Sequence, residues 1–199
     1  TAGIARKPGM TREDLLGVNA GIMRSVIGAA LEASPDAVFV CVTNPLDVMT
    51  TLAYRESGVP ANRLMGMGGV LDSARLSFKG TPITELMDEE AVAACVQRCV
   101  KGGAEVVGLL KTGSAYYAPG ASIAKMVEAI LGDTHEVMSV CAHIDGQYGI
   151  EDLYMNVPTR LGRSGVEEIV EFDLDAAELA ALQASAESVR AGLANLADL

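Results

Sequence analysis

Residues Asp36-Ala37-Val38-Phe39-Val40-Cys41-Val42-Thr43 run almost without interruption through apolar side chains and stop at Asn44-Pro45. A short run of this kind suits a strand covered on both faces, as in a parallel sheet. The proline takes the chain out of the sheet, because it has no N–H to give to a ladder. Upstream, Leu15, Leu16, Val18, Ile22, Met23, Val26, Ile27 and Ala30 recur at helical spacing and predict a helix to about Ser34. Its start carries Thr11 followed three residues later by Asp14, a capping-box pattern with Asp in place of Glu. Downstream, Leu46 opens a second helix that ends near Gly58. Helix, buried strand and helix in series mark a βαβ unit, so the fold class is α/β.

The same pattern continues toward the carboxyl terminus. Glu89 to Leu110 reads as a helix broken at Gly102-Gly103, and Ala118 to Leu131 as another helix. Val137 to His143 and Leu153 to Leu161 read as strands, with Pro158 favouring an edge or a bulge for the second. Leu179, Leu182, Val189, Leu193 and Leu196 form an amphipathic stripe, a docking face rather than a free coiled coil. Two joins break the pattern. Thr1-Ala2-Gly3-Ile4 reads as the end of a strand, and Leu71 to Phe78 opens like a helix yet halts at Lys79-Gly80-Thr81-Pro82.

The 199 residues carry 26 acidic and 15 basic side chains, a formal net charge of −11. Such a surface repels phosphate, which argues against nucleic acid or an anionic membrane as partner. A chain that is 50% hydrophobic and 21% charged is not a disordered polymer. Abundant glycine and the absence of tryptophan suit an α/β enzyme with tight turns better than a β-sandwich. Cys41, Cys95, Cys99 and Cys141 form no CxxC pair, so reduced thiols and a cytoplasmic location are expected. Cys95 and Cys99 lie one helical turn apart and read as small buried hydrophobes rather than metal ligands; no metal is expected. No uninterrupted apolar run approaches ~18 residues, so no membrane span is expected.

The informative charges are arginines beside small or apolar neighbours. Arg6 and Arg12 bracket a Pro-Gly turn, and Arg75 follows Asp72 by three residues in the stretch GGVLDSARL. Residues three apart share a helix face, and guanidinium grips carboxylate in a bidentate fork. Converging arginines fit a small substrate with two carboxylates and a polarisable carbonyl. Taken singly, Arg6 and Arg12 also suit a solvated loop, and Asp72 with Arg75 suits an ordinary helix ion pair. Asn44 stands at a strand's carboxyl end, where open α/β sheets bind ligands; an Asn-Pro turn is the plainer account.

Together, TAGIARKPGMTREDLLGVNAGI, VTNPLDVMT, MGGVLDSAR and LLKTGSAYYAPG resemble the malate/lactate dehydrogenase family, most closely its lactate-dehydrogenase-like malate dehydrogenase branch. The resemblance covers nearly the whole chain in the family's order, and four linked motifs make it specific. It implies the second half of a Rossmann-like NAD-binding domain over residues 1–66. An α+β substrate domain follows over 67–199. The implied reaction is reversible hydride transfer between malate or oxaloacetate and NAD, by a homodimer or homotetramer. Lactate or another 2-hydroxy acid is the alternative substrate, and a truncated, non-catalytic assembly or binding module the alternative role.

The resemblance also assigns site residues. Arg6 would bind the distal carboxylate, where a lactate enzyme has Gln. Arg12 would polarise the carbonyl and stabilise the developing alkoxide. Arg75 would clamp the C1 carboxylate, Asn44 would bond near the reacting oxygen, and Asp72 would orient the catalytic histidine. Gly3, Asn19, Val42, Thr43 and Asn44 would line the cofactor, and Ala115 would sit beside the substrate. Two departures accompany it. No GxGxxG loop occurs, and the family's histidine loop is missing between the LDSAR segment and KGTPITELM, which join around Phe78-Lys79. His135 and His143 stand in other contexts and are not expected to serve as the acid/base.

Overall fold

The computed structural model describes residues 3–4, 12–68, 77–78, 81–111 and 116–197. Helix α1 (Arg12–Ala33) leads through a turn into β1 (Phe39–Cys41), and α2 (Leu46–Ser57) returns to β2 (Leu64–Gly66), parallel to β1. This is the βαβ unit the apolar run predicts. A two-stranded pair follows, β3 (Ser77–Phe78) with β4 (Thr81–Pro82), then a helical turn α3 (Ile83–Leu86) and the helices α4 (Glu89–Leu110) and α5 (Tyr117–Gly132). Strands β5 (Glu136–Ile144), β6 (Leu153–Gly162) and β7 (Gly165–Ile169) form an antiparallel meander, and α6 (Ala176–Ala197) closes the chain.

One mixed sheet joins both parts, in the order β1-β2-β5-β6-β7. Its seam is the antiparallel contact of β2 with β5, where Gly66 faces Cys141. The core lies on both faces of this sheet. Val48, Met49, Leu52 and Ala53 of α2 pack with Leu64 and Met65 of β2, and Met126, Ala129 and Ile130 of α5 bury beside Val140, Val157 and Leu161. From α1, Leu16, Ala20, Met23 and Ile27 enter the core, a spacing of three and four residues that gives one helical face.

Several expectations change. The strand expected over Asp36–Thr43 is ordered as a ladder only over Phe39–Cys41, and Phe39 and Val40 are half-buried. Among the described residues β1 has a neighbour on one side only, and a cavity of about 130 Å3 lies between it and α1, lined by Met23, Ile27, Phe39 and Val40 among others. Gly102-Gly103 does not break α4, which is continuous. Glycine lowers helix stability by roughly 1 kcal/mol against alanine but leaves every backbone hydrogen bond possible. Pro158 lies on an interior strand, not an edge: it faces Ser139 of β5, and on the other side its carbonyl accepts from Val170 N. The irregularity it suggested falls two residues on, between Arg160 and Leu161.

Ser77 and Phe78 are extended rather than helical, paired with Pro82 and Thr81. Pro82 keeps Thr81, the partner of Phe78, out of the helical region. Lys79, the other half of the expected join, lies outside the described residues. Averaged along its length, Leu15–Ala33 within α1 is long and apolar enough to match a membrane span, which a count of uninterrupted runs does not register. Its Leu16-to-Ile27 stripe packs in the core as described.

Candidate active site at the carboxyl end of β1

Beyond Cys41, β1 gives way to Val42, Thr43 and the cis peptide bond Asn44–Pro45, after which α2 begins. Asn19, from the second turn of α1, reaches this point and is 1% exposed. Its side-chain oxygen accepts from Ile4 N at 2.8 Å, and its Nδ2 donates to Asn44 O at 2.8 Å and Ile4 O at 3.4 Å. One amide therefore ties together the segment at Gly3-Ile4, helix α1 and the turn after β1. Both of its polar atoms are used, as burial requires.

Gly3 completes the junction. Its φ of +132° suits glycine, and a Cβ there would lie 2.7 Å from Thr43 Cγ2 and 3.2 Å from Asn19 Oδ1. Bare backbone is what lets this segment approach Thr43 so closely. Thr43 is buried, Val42 half-buried, and Asn44 exposed at the strand's carboxyl end. Of the residues expected to line a cofactor, Gly3, Asn19, Thr43 and Asn44 thus gather at one place, with Val42 leading into it. Their positions differ in kind: Asn44 presents itself outward, whereas Asn19 stands behind the wall and holds it.

The remaining candidates are distributed as follows. Arg12 is the first residue of α1, and its side chain lies outside the described residues. Arg6, Asp72, Arg75 and Ala115 also lie outside them. The histidines are engaged elsewhere. His135 Nδ1 is 2.7 Å from Glu167 Oε2, which raises its pKa above the ordinary value by hydrogen bonding and charge. His143 Nε2 is 3.2 Å from Asp152 Oδ1, and its ring packs 4.9 Å from Tyr54 and 5.3 Å from Tyr154. Asp152 also accepts from Arg55 at 2.8 Å; partial burial pushes its carboxyl up, but the His143 and Arg55 bonds outweigh this and lower it. For metals, Asp133, His135 and Glu167 bring ligand atoms within 4.8 Å of one another, all at the surface or nearly so.

Two polar anchors, one half-buried and one buried, have no signature in the sequence. Asp47, in the first turn of α2, accepts from the Cys141 thiol at 3.2 Å. Thr51, a turn later, accepts at Oγ1 from Tyr154 N at 3.2 Å. An acidic residue in a first turn reads as a solvated helix-dipole partner, so nothing in the local pattern marks Asp47 as facing a thiol 94 residues away.

The chain matches two family descriptions: "lactate/malate dehydrogenase, NAD binding domain" over residues 1–66 and "lactate/malate dehydrogenase, alpha/beta C-terminal domain" over residues 71–198. The malate dehydrogenase of Halalkalibacterium halodurans is 45% identical over 224 aligned positions, spanning 96% of this chain and 71% of that relative. The alignment is longer than this chain of 199 residues, so that relative carries positions between the matched ends that have no counterpart here. Among solved structures, the apo malate dehydrogenase of Picrophilus torridus superposes with a TM-score of 0.90 at 39% identity, covering 100% of this chain and 73% of that one. The malate dehydrogenase of Archaeoglobus fulgidus in complex with NADH gives 0.87 at 33% identity, covering 99% and 74%.

Proposed function

Because the chain belongs to the lactate/malate dehydrogenase family, we propose that it carries out NAD-dependent interconversion of malate and oxaloacetate. The observation that carries this is the Asn19 junction. It places Gly3, Thr43 and Asn44 together at the carboxyl end of a parallel strand, where α/β sheets bind their ligands. The residues fit the nicotinamide end of the cofactor in that Asn44 is exposed at the strand's carboxyl end, beside the close-packed Gly3–Thr43 contact. NAD, when bound, supplies the acceptor for the substrate's C2 hydride.

Binding and electrostatic stabilisation fall to the chain's own residues. Asn44 donates to the reacting oxygen. Arg12 stabilises the negative charge that develops on it as the carbonyl is reduced, an electrostatic contribution that is large in a water-poor site. Arg75 grips the C1 carboxylate and Arg6 the distal one, each in a bidentate fork. Asp72 would orient an acid/base histidine, a residue that the 199 residues do not carry at the family's position. Neither His135 nor His143 takes that part, since each is engaged with surface carboxylates.

We assign residues 1–66 to the carboxyl part of the dinucleotide-binding domain and 67–199 to the substrate domain. A soluble cytoplasmic homo-oligomer fits. Val18 and Val26 on α1 are each 43% exposed, apolar surface that a second subunit would cover. Lactate is the second reading, since the family includes it, and Arg6 decides between them. Arg6→Gln should lower kcat/KM for oxaloacetate at least about 100-fold while affecting pyruvate far less, because an unpaired substrate carboxylate loses its counter-charge. NADH oxidation followed with each 2-oxo acid tests this, and equal losses on both would remove the specificity role.

A further inference from the structure

Asp47 lies three residues past Asn44, and its half-buried carboxyl accepts from the Cys141 thiol at 3.2 Å. Cys141 is fully buried in β5, across β2 from β1: Gly66 faces Cys41 on one side and Cys141 on the other. There is no slack at this row. A Cβ on Gly66 would lie 2.8 Å from Cys141 Cβ, 2.9 Å from Thr50 Oγ1 and 3.0 Å from Leu46 Cδ1. The first turn of α2 is therefore pressed against the sheet where the thiol meets the carboxyl.

Burial raises the Cys141 thiol well above its ordinary range, so it stays protonated and serves as donor. The turn at Asn44–Pro45 is thus anchored from two directions. Asn19 of α1 holds the Asn44 carbonyl, and β5 holds the next helical turn through Asp47. A thiol that merely filled space would need no directional partner.

We propose that Asp47 and Cys141 form a positioning pair for the oxaloacetate reaction: their hydrogen bond sets the orientation of the Asn44 turn and hence where Asn44 meets the substrate. Neither residue touches the reacting atoms. The inference rests on the malate dehydrogenase reading and adds two residues to it.

The test compares Asp47→Ala, Asp47→Asn, Cys141→Ala and Cys141→Ser in the full chain, by steady-state kinetics with oxaloacetate and by thermal unfolding. Met138→Ala, elsewhere in β5, is the control for general destabilisation. The alanine variants should lose about fivefold or more in kcat/KM, as expected for one lost orienting hydrogen bond. Asp47→Asn keeps the acceptor and Cys141→Ser keeps a donor, and both should stay within about twofold of wild type. The Asp47→Ala/Cys141→Ala double variant should be no worse than either single one, because both remove the same bond. Met138→Ala should lower Tm and leave kcat/KM alone.

The pair is refuted if Cys141→Ala behaves like Met138→Ala, or if the two losses add. Should Asp47→Ala not fold, the Cys141 variants decide alone. A wild-type chain that binds NADH but does not turn over oxaloacetate would overturn the parent reading and this inference with it. Normal wild-type turnover with insensitive variants would overturn this inference only.

Discussion

β5 pairs along its whole length with β6, from Glu136↔Leu161 to Ile144↔Leu153, whereas β1 and β2 meet over only three residues each. The long antiparallel ladder carries its own support, since its backbone groups are satisfied strand to strand and its inward side chains lie in the core. The short parallel pair cannot. Its surroundings are held instead by individual side-chain hydrogen bonds: Asn19 to the Ile4 and Asn44 backbone on one side, and Asp47 to the Cys141 thiol of β5 and Thr51 to the Tyr154 backbone of β6 on the other. The region that bears the proposed chemistry is therefore the region whose geometry depends on a few individual hydrogen bonds. Loop-borne function on a rigid scaffold has this general form.

The contrast predicts distinct failures in the two regions. Asn19→Ala should have the largest effect, because it strips partners from Ile4 N–H, Ile4 O and Asn44 O at once. At roughly 1–3 kcal/mol for a buried group left unsatisfied, the loss should be about 3 kcal/mol of stability. NADH affinity, read by fluorescence titration, should fall at least about tenfold. Wild-type affinity in this variant would show that the ladder alone holds the junction.

Leu161→Ala, in the fully buried part of β6, should cost about 2.5 kcal/mol by leaving a cavity. NADH affinity should stay unchanged at temperatures where the variant is folded. Denaturant melts beside the same titration separate the two outcomes, and a matched loss of affinity would erase the distinction between the regions.

His135→Gln should have the smallest effect, and it should depend on pH. The bond to Glu167 raises the histidine's pKa in the folded state, so its contribution is complete below the unfolded value of 6.5 and is lost as pH rises through the folded value. The variant should be less stable than wild type in mildly acidic buffer and equal to it in alkaline buffer. Because the pair is exposed the difference should be small, and an increase toward alkaline pH would reverse the assigned sign.

Much of this was legible along the chain. The apolar run ending at Asn44-Pro45 announced a buried strand and the helix after it, and the stripes at Leu16 to Ile27 and Leu182 to Leu196 announced helices with a core face. These are local signals, spaced by the helix and strand periods themselves. Gly102-Gly103 misled, because glycine weakens a helix without forbidding it, and so did Pro158, whose carbonyl still accepts a backbone bond on an interior strand.

Sequence alone determined the fold class and, through four motifs carried in one order, the family. Each of these is written in short stretches whose meaning does not depend on what lies across the molecule. Tertiary structure alone decided that β1 and β5 belong to one sheet through Gly66, that Asn19 stands behind the site rather than in it, and that Asp47 answers a thiol in β5. Those facts rest on contacts between residues 25 and 94 positions apart. A buried polar group must find a partner wherever folding brings one near, and periodicity carries no record of which partner that is.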